Sequence, residues 1–593
     1  MLHSILEERL RAAFATAFPD TDVGEITVRP CQNPKFGDYQ CISVMPLAKK
    51  LAAEGEKPNP RPIATNVLEA LDVADLCEKV EIAGPGFINF YVKVEGIESV
   101  CKAAARGEHL FFEKTRKPRT IVIDFSSPNV AKSMHVGHIR STILGDALSR
   151  LFRLLGHNVI TDNHIGDWGT QFGMLLVGWK EHLDQVALEA DPIPELERVY
   201  KLVNSLTKTD KVVADRARDE LVKLQGGDKE NFGVWKKLIA LSETQFEEMY
   251  ARLGVKFDHA LGESFYNEKL PGIVEDLLDT GIARVTDGAI GVFSDGNLPK
   301  KQDPFLNQKD GEWVGIPALV RKKDGGFNYT TTDLATLEHR NSEWHPQEIV
   351  YVTDDRQQQH FQQLFAAYLR WRPETSAKLA HVWFGKILGD DRKPLKTRDG
   401  DNVKLKDLLN EAEERAFRIV DEKNSELDEA AKREIARIVG IGAVKYADLL
   451  PHRQSDYVFD WDKMLSFSGN AAPYLQMSYT RICGIRRKTE AAGHDASIQP
   501  DLLKLGEEAE IALAKKLLGF GLVLDAVGED YRPNLLCNYL YELSGLFSKF
   551  FEQCPVMKSE AAIRRSRLVL CDLTARVIQQ GLNILGIETS EVM

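Results

Sequence analysis

Long uncharged apolar runs are missing from this chain of 593 residues, and with them any candidate for a membrane-spanning helix. Cysteine is sparse. Its eight residues (31, 41, 77, 101, 483, 537, 554 and 571) form no CxxC pair and no dense spacing, which excludes a disulfide scaffold and makes free thiols in a reducing, cytoplasmic setting the expectation. An excess of positive charge is also lacking. The 76 Lys and Arg against 88 Asp and Glu give a net charge of −12, which taken as a whole speaks against a nucleic-acid partner. Binding depends on local patches, however, and Lys114–Arg119, Arg486–Lys488 and Arg564–Arg567 are basic; each is equally readable as a solvated helix or linker face. The opening MLHSILEERLRAAF is amphipathic with acidic residues, unlike a signal or transit peptide. Hydrophobic content of 43% and charged content of 28% are those of a globular protein. The length predicts about three domains.

What is present is concentrated between Thr120 and Gly156, TIVIDFSSPNVAKSMHVGHIRSTILGDALSRLFRLLG. The β-branched run from Thr120 to Phe125 predicts a buried strand, and Ser126, Ser127, Pro128 and Asn129 break it into a loop. From about His138 the apolar positions Ile139, Ile143, Ala147, Leu151 and Leu154 recur at helical spacing until Gly156. The start of a helix leaves N–H groups free and carries partial positive charge, so it suits an anion. The loop into this one carries Lys132, His135 and His138, with Gly137 between the histidines, where a missing Cβ would let a flat ring such as adenine approach the backbone. The histidine pair admits three readings: local hydrogen bonding, a metal pair, or a phosphate clamp. No Cys/His cluster of zinc-ligand spacing supports the metal. A lysine followed by His-x-Gly-His at a strand-to-helix junction fits the donors that nucleotidyl transfer needs as charge grows on the α-phosphate.

Further along stand NHIGDWGTQFG (163–173), YTTTDLAT (329–336), YVTDDRQQQHF (351–361), LKTRDGDNVKL (395–405) and APYLQMSYTRI (472–482). With SSPNVAKSMHVGH they resemble, in order and over nearly the whole chain, the class I aminoacyl-tRNA synthetases in the form used by arginyl-tRNA synthetases. The resemblance implies an α/β multidomain chain: a class I Rossmann-type parallel-sheet catalytic domain, an α+β N-terminal domain and an all-α C-terminal anticodon-binding bundle. The expected boundaries are 1–112 for a domain reading the tRNA D-loop and 113–410 for the catalytic domain, with a helical insertion at about 185–290 that carries no motif beyond packing. A helical connector follows at 411–455 and the anticodon-binding bundle at 456–593.

Tyr329 and Asp333, four residues apart at a helix start, share a face. A guanidinium needs acceptor-only carboxylates in bidentate reach and an aromatic neighbour, which Asp333, Tyr329 and the lone carboxylate Glu263 could supply. Equally, Asp333 could cap the helix and Tyr329 pack in a core. The resemblance makes Asn129, Glu263, Tyr329, Asp333 and Gln357 arginine-site residues, with Ser127 and His138 near the substrate's amino and carboxylate groups. It assigns Lys132, His135, Gly137, His138, His360 and Lys396 to ATP, and catalysis to Lys132, His135, His138 and Lys396. After a strand predicted at His381–Leu388, class I enzymes place a lysine loop usually written KMSKS. This chain departs from it: the second lysine position is Thr397, and Lys393 and Lys396 stand in shifted register. Many arginyl enzymes share the lapse and carry a lysine just before HxGH, which here is Lys132.

The first domain carries strand signals at Ile26–Arg29 and Phe87–Val92, and between them the loop NPKFGDYQC (33–41). Such a loop can stack on and hydrogen-bond to an unpaired base, or be a turn around one buried aromatic. By resemblance Asn33, Phe36 and Gln40 become tRNA candidates. Helical patterns at 474–488, 502–524, 535–551 and 561–585 predict the C-terminal bundle, with Phe467, Asn470, Tyr474, Tyr479 and Met593 as further tRNA candidates, although aromatic residues in a bundle are more often core. The implied activity is ATP-dependent activation of L-arginine, with Mg²⁺, and transfer to the 3′ end of tRNA(Arg) by a monomer. Activation is expected to need bound tRNA, and no editing domain is expected. The rivals are a class I nucleotidyltransferase acting on a small molecule and a non-catalytic tRNA-binding relative.

Overall fold

The computed structural model describes residues 1–31, 33–52, 59–396, 403–423 and 426–593. They form two compact units, one of residues 115–465 with 584–587 and one of residues 1–114, 466–583 and 588–593. Among the described residues no helix is long and apolar enough to cross a membrane.

The first unit is built on a four-stranded parallel sheet in the order Lys378–His381, Glu348–Tyr351, Thr120–Asp124, Asn158–Asp162. Ile121, Val122, Ile123, Ile349 and Val350 are fully buried, as parallel strands covered on both faces require. The register sets His381, Tyr351, Asp124 and Asp162 side by side, so all four strands end on one ledge. Such a ledge of carboxyl ends is where open α/β sheets bind ligands. The helix Val136–Leu154 follows the first strand. It begins two residues before the hydrophobic spacing starts because His135 caps it. Gly145 lets it approach closely, since a Cβ there would lie 2.2 Å from Cγ of Phe125.

Two expectations need correction in this part of the chain. The insertion is helical through Gln185–Ala190, Pro192–Thr209, Lys211–Gln225, Lys229–Leu253 and Leu270–Asp279, but not to residue 290. From Ala283 it becomes an antiparallel sheet of Ala283–Thr286, Ala289–Val292 and Ala318–Arg321, with an exposed hairpin of Leu306–Lys309 and Glu312–Gly315 inserted between the last two strands. Two Asp-Gly turns, Asp287-Gly288 and Asp310-Gly311, close these hairpins with positive φ throughout, a turn signal that was legible in the sequence. The strand expected at His381–Leu388 is two pieces. Lys378–His381 belongs to the parallel sheet, whereas Ile387–Leu388 pairs with Tyr457–Val458. Between them Gly385 presses against the 455–456 backbone so closely that a Cβ would sit 2.6 Å from Oδ1 of Asp456, and this contact draws the chain out of the sheet.

In the second unit the N-terminal sheet is antiparallel, in the order Val28–Pro30, Tyr39–Cys41, Phe87–Val92, Cys77–Ala83. Tyr39–Cys41 takes Gln40 out of the expected loop and pairs it with Asn89. The long helix expected at 502–524 is broken at Gly519 into Glu508–Leu518 and Phe520–Asp530, because Gly521 packs on the backbone of Phe111, where a Cβ would lie 2.5 Å from the carbonyl oxygen. The N-terminal and C-terminal segments share this unit. Glu98 accepts the Leu505 N–H at 2.9 Å and pairs with Lys504 at 3.0 Å, and Asp38 pairs with Lys515 at 2.6 Å.

Candidate active site

The loop between the first strand and its helix is held in an unfavourable backbone. Ser126, Ser127 and Ala131 have φ of 74°, 47° and 59°, a region side chains other than glycine rarely adopt. Surrounding bonds enforce it. The Ser126 N–H donates to Ser141 Oγ at 2.8 Å, and the Ser126 and Tyr250 hydroxyls share a bond at 2.8 Å. The Ser127 N–H donates to Asn163 Oδ1 at 3.0 Å, and Ser127 Oγ donates to Asp124 Oδ1 at 3.1 Å. Asn129 lies in a bridge with Gly166, where a Cβ would meet Asn129 Oδ1 at 2.4 Å.

The two histidines are locked by the helix they start. His135 Nδ1 accepts the Gly137 N–H at 3.0 Å, and His138 Nδ1 accepts the His135 N–H at 3.1 Å, with the rings 4.0 Å apart. Burial, then the positive charge of Arg356, push the His135 pKa below its ordinary value. Burial, then the neighbouring His135, take His138 down to about 3. Neutral rings whose Nδ1 atoms accept carry their protons on Nε2, so both present N–H donors without charge. Gly137 has a second reason to be glycine: a Cβ would lie 2.7 Å from Cε1 of His135. The segment Val403–Leu405 runs beside this cap, the Val136 N–H donating to Val403 O at 3.0 Å and the Leu405 N–H to Met134 O at 2.8 Å. Lys396 is exposed. Thr397 lies outside the described residues.

The other half of the site is acidic. Asp333 Oδ2 and His360 Nε2 are 2.6 Å apart, and the Tyr329 ring meets His360 edge-on at 4.7 Å while remaining 59% exposed. Burial opposes ionisation of Asp333, but the His360 bond outweighs it and holds the carboxyl below its ordinary pKa. Glu263 has no cationic partner among the described residues. Burial raises its pKa to about 7, with Asp333 and Asp167 adding to the rise against the pull of His164. Asp167 accepts the Ser264 N–H at 2.8 Å and its hydroxyl at 2.6 Å, and Gly262 must be glycine because a Cβ would sit 2.4 Å from Asp167 Oδ2. Gln357 is exposed at the start of the His360 helix.

Arg340 joins the halves. It is 0% exposed and donates through Nη2 to Asp124 at 2.6 Å and to Asp162 at 2.8 Å, with its guanidinium 5.2 Å from the centre of the Tyr351 ring. The helix Tyr329–Trp344 that begins with Tyr329 and Asp333 is thereby bolted to the strand end that receives Ser127. Sequence reasoning missed Arg340, Arg356 and Tyr250. Only Arg356 had a signal, as a cation just past a predicted strand end.

In the second unit Phe36 is 52% exposed, whereas Tyr39 of the same stretch is 5% exposed and supplies the one buried aromatic of the alternative reading. Asn33 Oδ1 accepts the Lys35 N–H at 3.0 Å, and Gln40 donates to Asn89 Oδ1 at 2.8 Å. Asn470 donates to Asn538 at 3.2 Å, the half-buried Tyr474 lies 5.7 Å from Tyr541, and Phe467 and Met593 are half-buried. Tyr479 is a correction. It is 7% exposed and its hydroxyl accepts from Gln579 at 3.0 Å, so packing leaves no ring face for a base.

A parallel sheet whose carboxyl ends carry a His-x-Gly-His helix cap beside a buried acidic pocket has the construction of a class I aminoacyl-tRNA synthetase. Comparison with known families agrees. Residues 100–461 match the class I (R) tRNA synthetase catalytic domain, residues 2–92 the arginyl-tRNA synthetase N-terminal domain, and residues 475–593 the DALR anticodon binding domain. The chain is 45% identical to an arginine–tRNA ligase of Chromobacterium violaceum over 100% of both chains, and 44% identical to one of Mannheimia succiniciproducens over 99% of both. A solved arginyl-tRNA synthetase of Plasmodium falciparum superposes with a TM-score of 0.81 at 29% identity, covering 100% of this chain and 99% of that one. The Thermus thermophilus arginyl-tRNA synthetase, at 22% identity and a TM-score of 0.81 over 100% of both chains, shares the fold. The chain belongs to the arginyl-tRNA synthetase family.

Proposed function

We propose that this chain ligates arginine to tRNA(Arg) through the two halves of the site described above. The observation that carries the reading is a half-buried carboxyl pair, Asp333 and Glu263, reached from the same sheet ledge as the histidine cap, with Glu263 lacking a cation among the described residues. A guanidinium supplies that cation, with Asp333, Glu263, Tyr329 and Gln357 around it and Asn129, Ser127 and His138 toward the amino-acid end. Lysine or a neutral analogue would leave a buried carboxylate unpaired, which makes the selection steep without editing.

In the first step an arginine carboxylate oxygen attacks the α-phosphorus of ATP and the bond to pyrophosphate breaks. The Nε2–H groups of His135 and His138 donate to phosphate oxygens as charge builds, and Lys132, with Lys396 from the far side, neutralises the leaving pyrophosphate. In the second step a ribose hydroxyl of the terminal adenosine attacks the arginyl carbonyl and AMP leaves. Mg²⁺ would enter on the triphosphate and neutralise part of its charge; among the described residues no group of three or more His, Cys, Asp or Glu side chains could hold a metal ion.

By the same reading residues 1–112 take the D-loop through Asn33, Phe36 and Gln40, residues 113–410 form the catalytic domain, residues 411–455 connect, and residues 456–593 take the anticodon through Phe467, Asn470, Tyr474 and Met593. The enzyme works in the cytoplasm as a monomer and activates arginine only with tRNA bound. Arginylation of total tRNA by the wild-type chain and by Asp333→Ala tests the pocket, and equal activity overturns it. ATP–pyrophosphate exchange with arginine but no tRNA should be absent.

A further inference from the structure

The helical insertion has no role in the chemistry so far, yet it holds the residues on either side of Lys132. Val130 and Ala131 are buried in the same apolar cluster as Phe172, Leu196, Trp235 and Leu238. The Ala131 N–H donates to Ser242 Oγ at 2.9 Å, and the Ser133 N–H donates to Glu197 Oε1 at 2.6 Å. The Lys132 side chain itself lies along the helix Pro192–Thr209, its ammonium 5.1 Å from the centre of the Tyr200 ring. Glu197 and Tyr200, three residues apart, share one helix face, so a single surface fixes both the loop backbone and the lysine head. No carboxylate pairs with Lys132 among the described residues.

We infer that Tyr200 is a positioning residue for the Lys132 ammonium, and that the insertion through it tunes the triphosphate end of the site. The inference rests on the reading of Lys132 as a phosphate-neutralising group. A lysine stem has four rotatable bonds and wanders unless something restrains it. A carboxylate would restrain it but cancel its charge. An aromatic face attracts the ammonium weakly and leaves the charge available, so the head is kept near its working position at little cost when a phosphate draws it away. The demand on this one lysine is raised by Thr397, which stands where the usual loop has its second lysine.

The test uses the full-length enzyme with tRNA, measuring arginine activation and arginylation against ATP and arginine separately. Tyr200→Leu should lower kcat/KM for ATP roughly 5–10-fold and leave the KM for arginine within about twofold, while Tyr200→Phe, which keeps the ring, restores the wild-type value. Adding Tyr200→Leu to Lys132→Met should change nothing beyond about twofold, because the ring then has no ammonium to hold. Tyr200→Met, read in the same way, serves where the leucine variant does not fold. An ATP dependence unchanged by loss of the ring, or a loss of equal size with and without Lys132, overturns the proposal while leaving the phosphate role of Lys132 standing. Lys132→Met at wild-type rate removes that role and the proposal with it.

Discussion

On the proposed reading, the two ends of the site meet ligands of opposite charge by different means. The phosphate end relies on donors that are themselves neutral: His135 and His138 are held by backbone N–H groups, and burial keeps them uncharged. The guanidinium end relies on net charge, with Asp333 steadied by His360 and Glu263 left without a cation until substrate arrives. Oriented dipoles suit a group whose charge grows during reaction, because they need no reorganisation. A permanently charged, planar ligand is better selected by acceptors that are expensive to leave unpaired.

If this contrast is right, removing charge should hurt most at the acidic end. Asp333→Ala should lower kcat/KM for arginine about 10³-fold with little change in ATP dependence, measured by arginylation. Next comes the bolt between the ends. Arg340→Met leaves Asp124 and Asp162 buried and unpaired and should destabilise the first unit by about 3–5 kcal/mol in urea unfolding. At the phosphate end, His138→Ala should cost about 10²-fold in kcat, and His138→Gln, which keeps a neutral N–H at the far end of the side chain, should recover part of it. A charged His138→Lys that recovers more than the glutamine would break the comparison.

The smallest effect is at Glu263. Its pKa in the folded chain is about 7 against an ordinary 4.5, so the folded form holds a proton that the unfolded form has lost. Stability should therefore fall as pH rises through that window and level off above it. Glu263→Gln should melt about 2 °C higher than wild type at pH 8 and level with it below pH 4.5. In activity assays the wild-type KM for arginine should rise as pH drops below 7, by protonation of the same carboxyl.

Much of this was legible from local pattern. The β-branched run before SSPN, the helical spacing after HxGH and the strand at Asn158–Asp162 read correctly because each is decided by neighbours within a few residues. Tyr329 and Asp333 share a helix face for the same reason. What escaped was long-range. Gly385 and Gly521 look like ordinary glycines, yet each ends an expected element because another backbone lies against it. Tyr479 looked like Tyr474, and only packing separates a buried ring from a half-exposed one.

The sequence by itself determined the family and the fold class, since a motif's chemistry and a helix's period are properties of consecutive residues. Only the tertiary structure decided which charges meet. Arg340 finds Asp124 and Asp162, Glu263 comes to lie near Asp333 and Asp167, and the Lys132 ammonium settles on Tyr200. Those pairings join residues from 68 to 216 positions apart, and burial, which sets the strength of each, is a property no stretch of sequence carries alone.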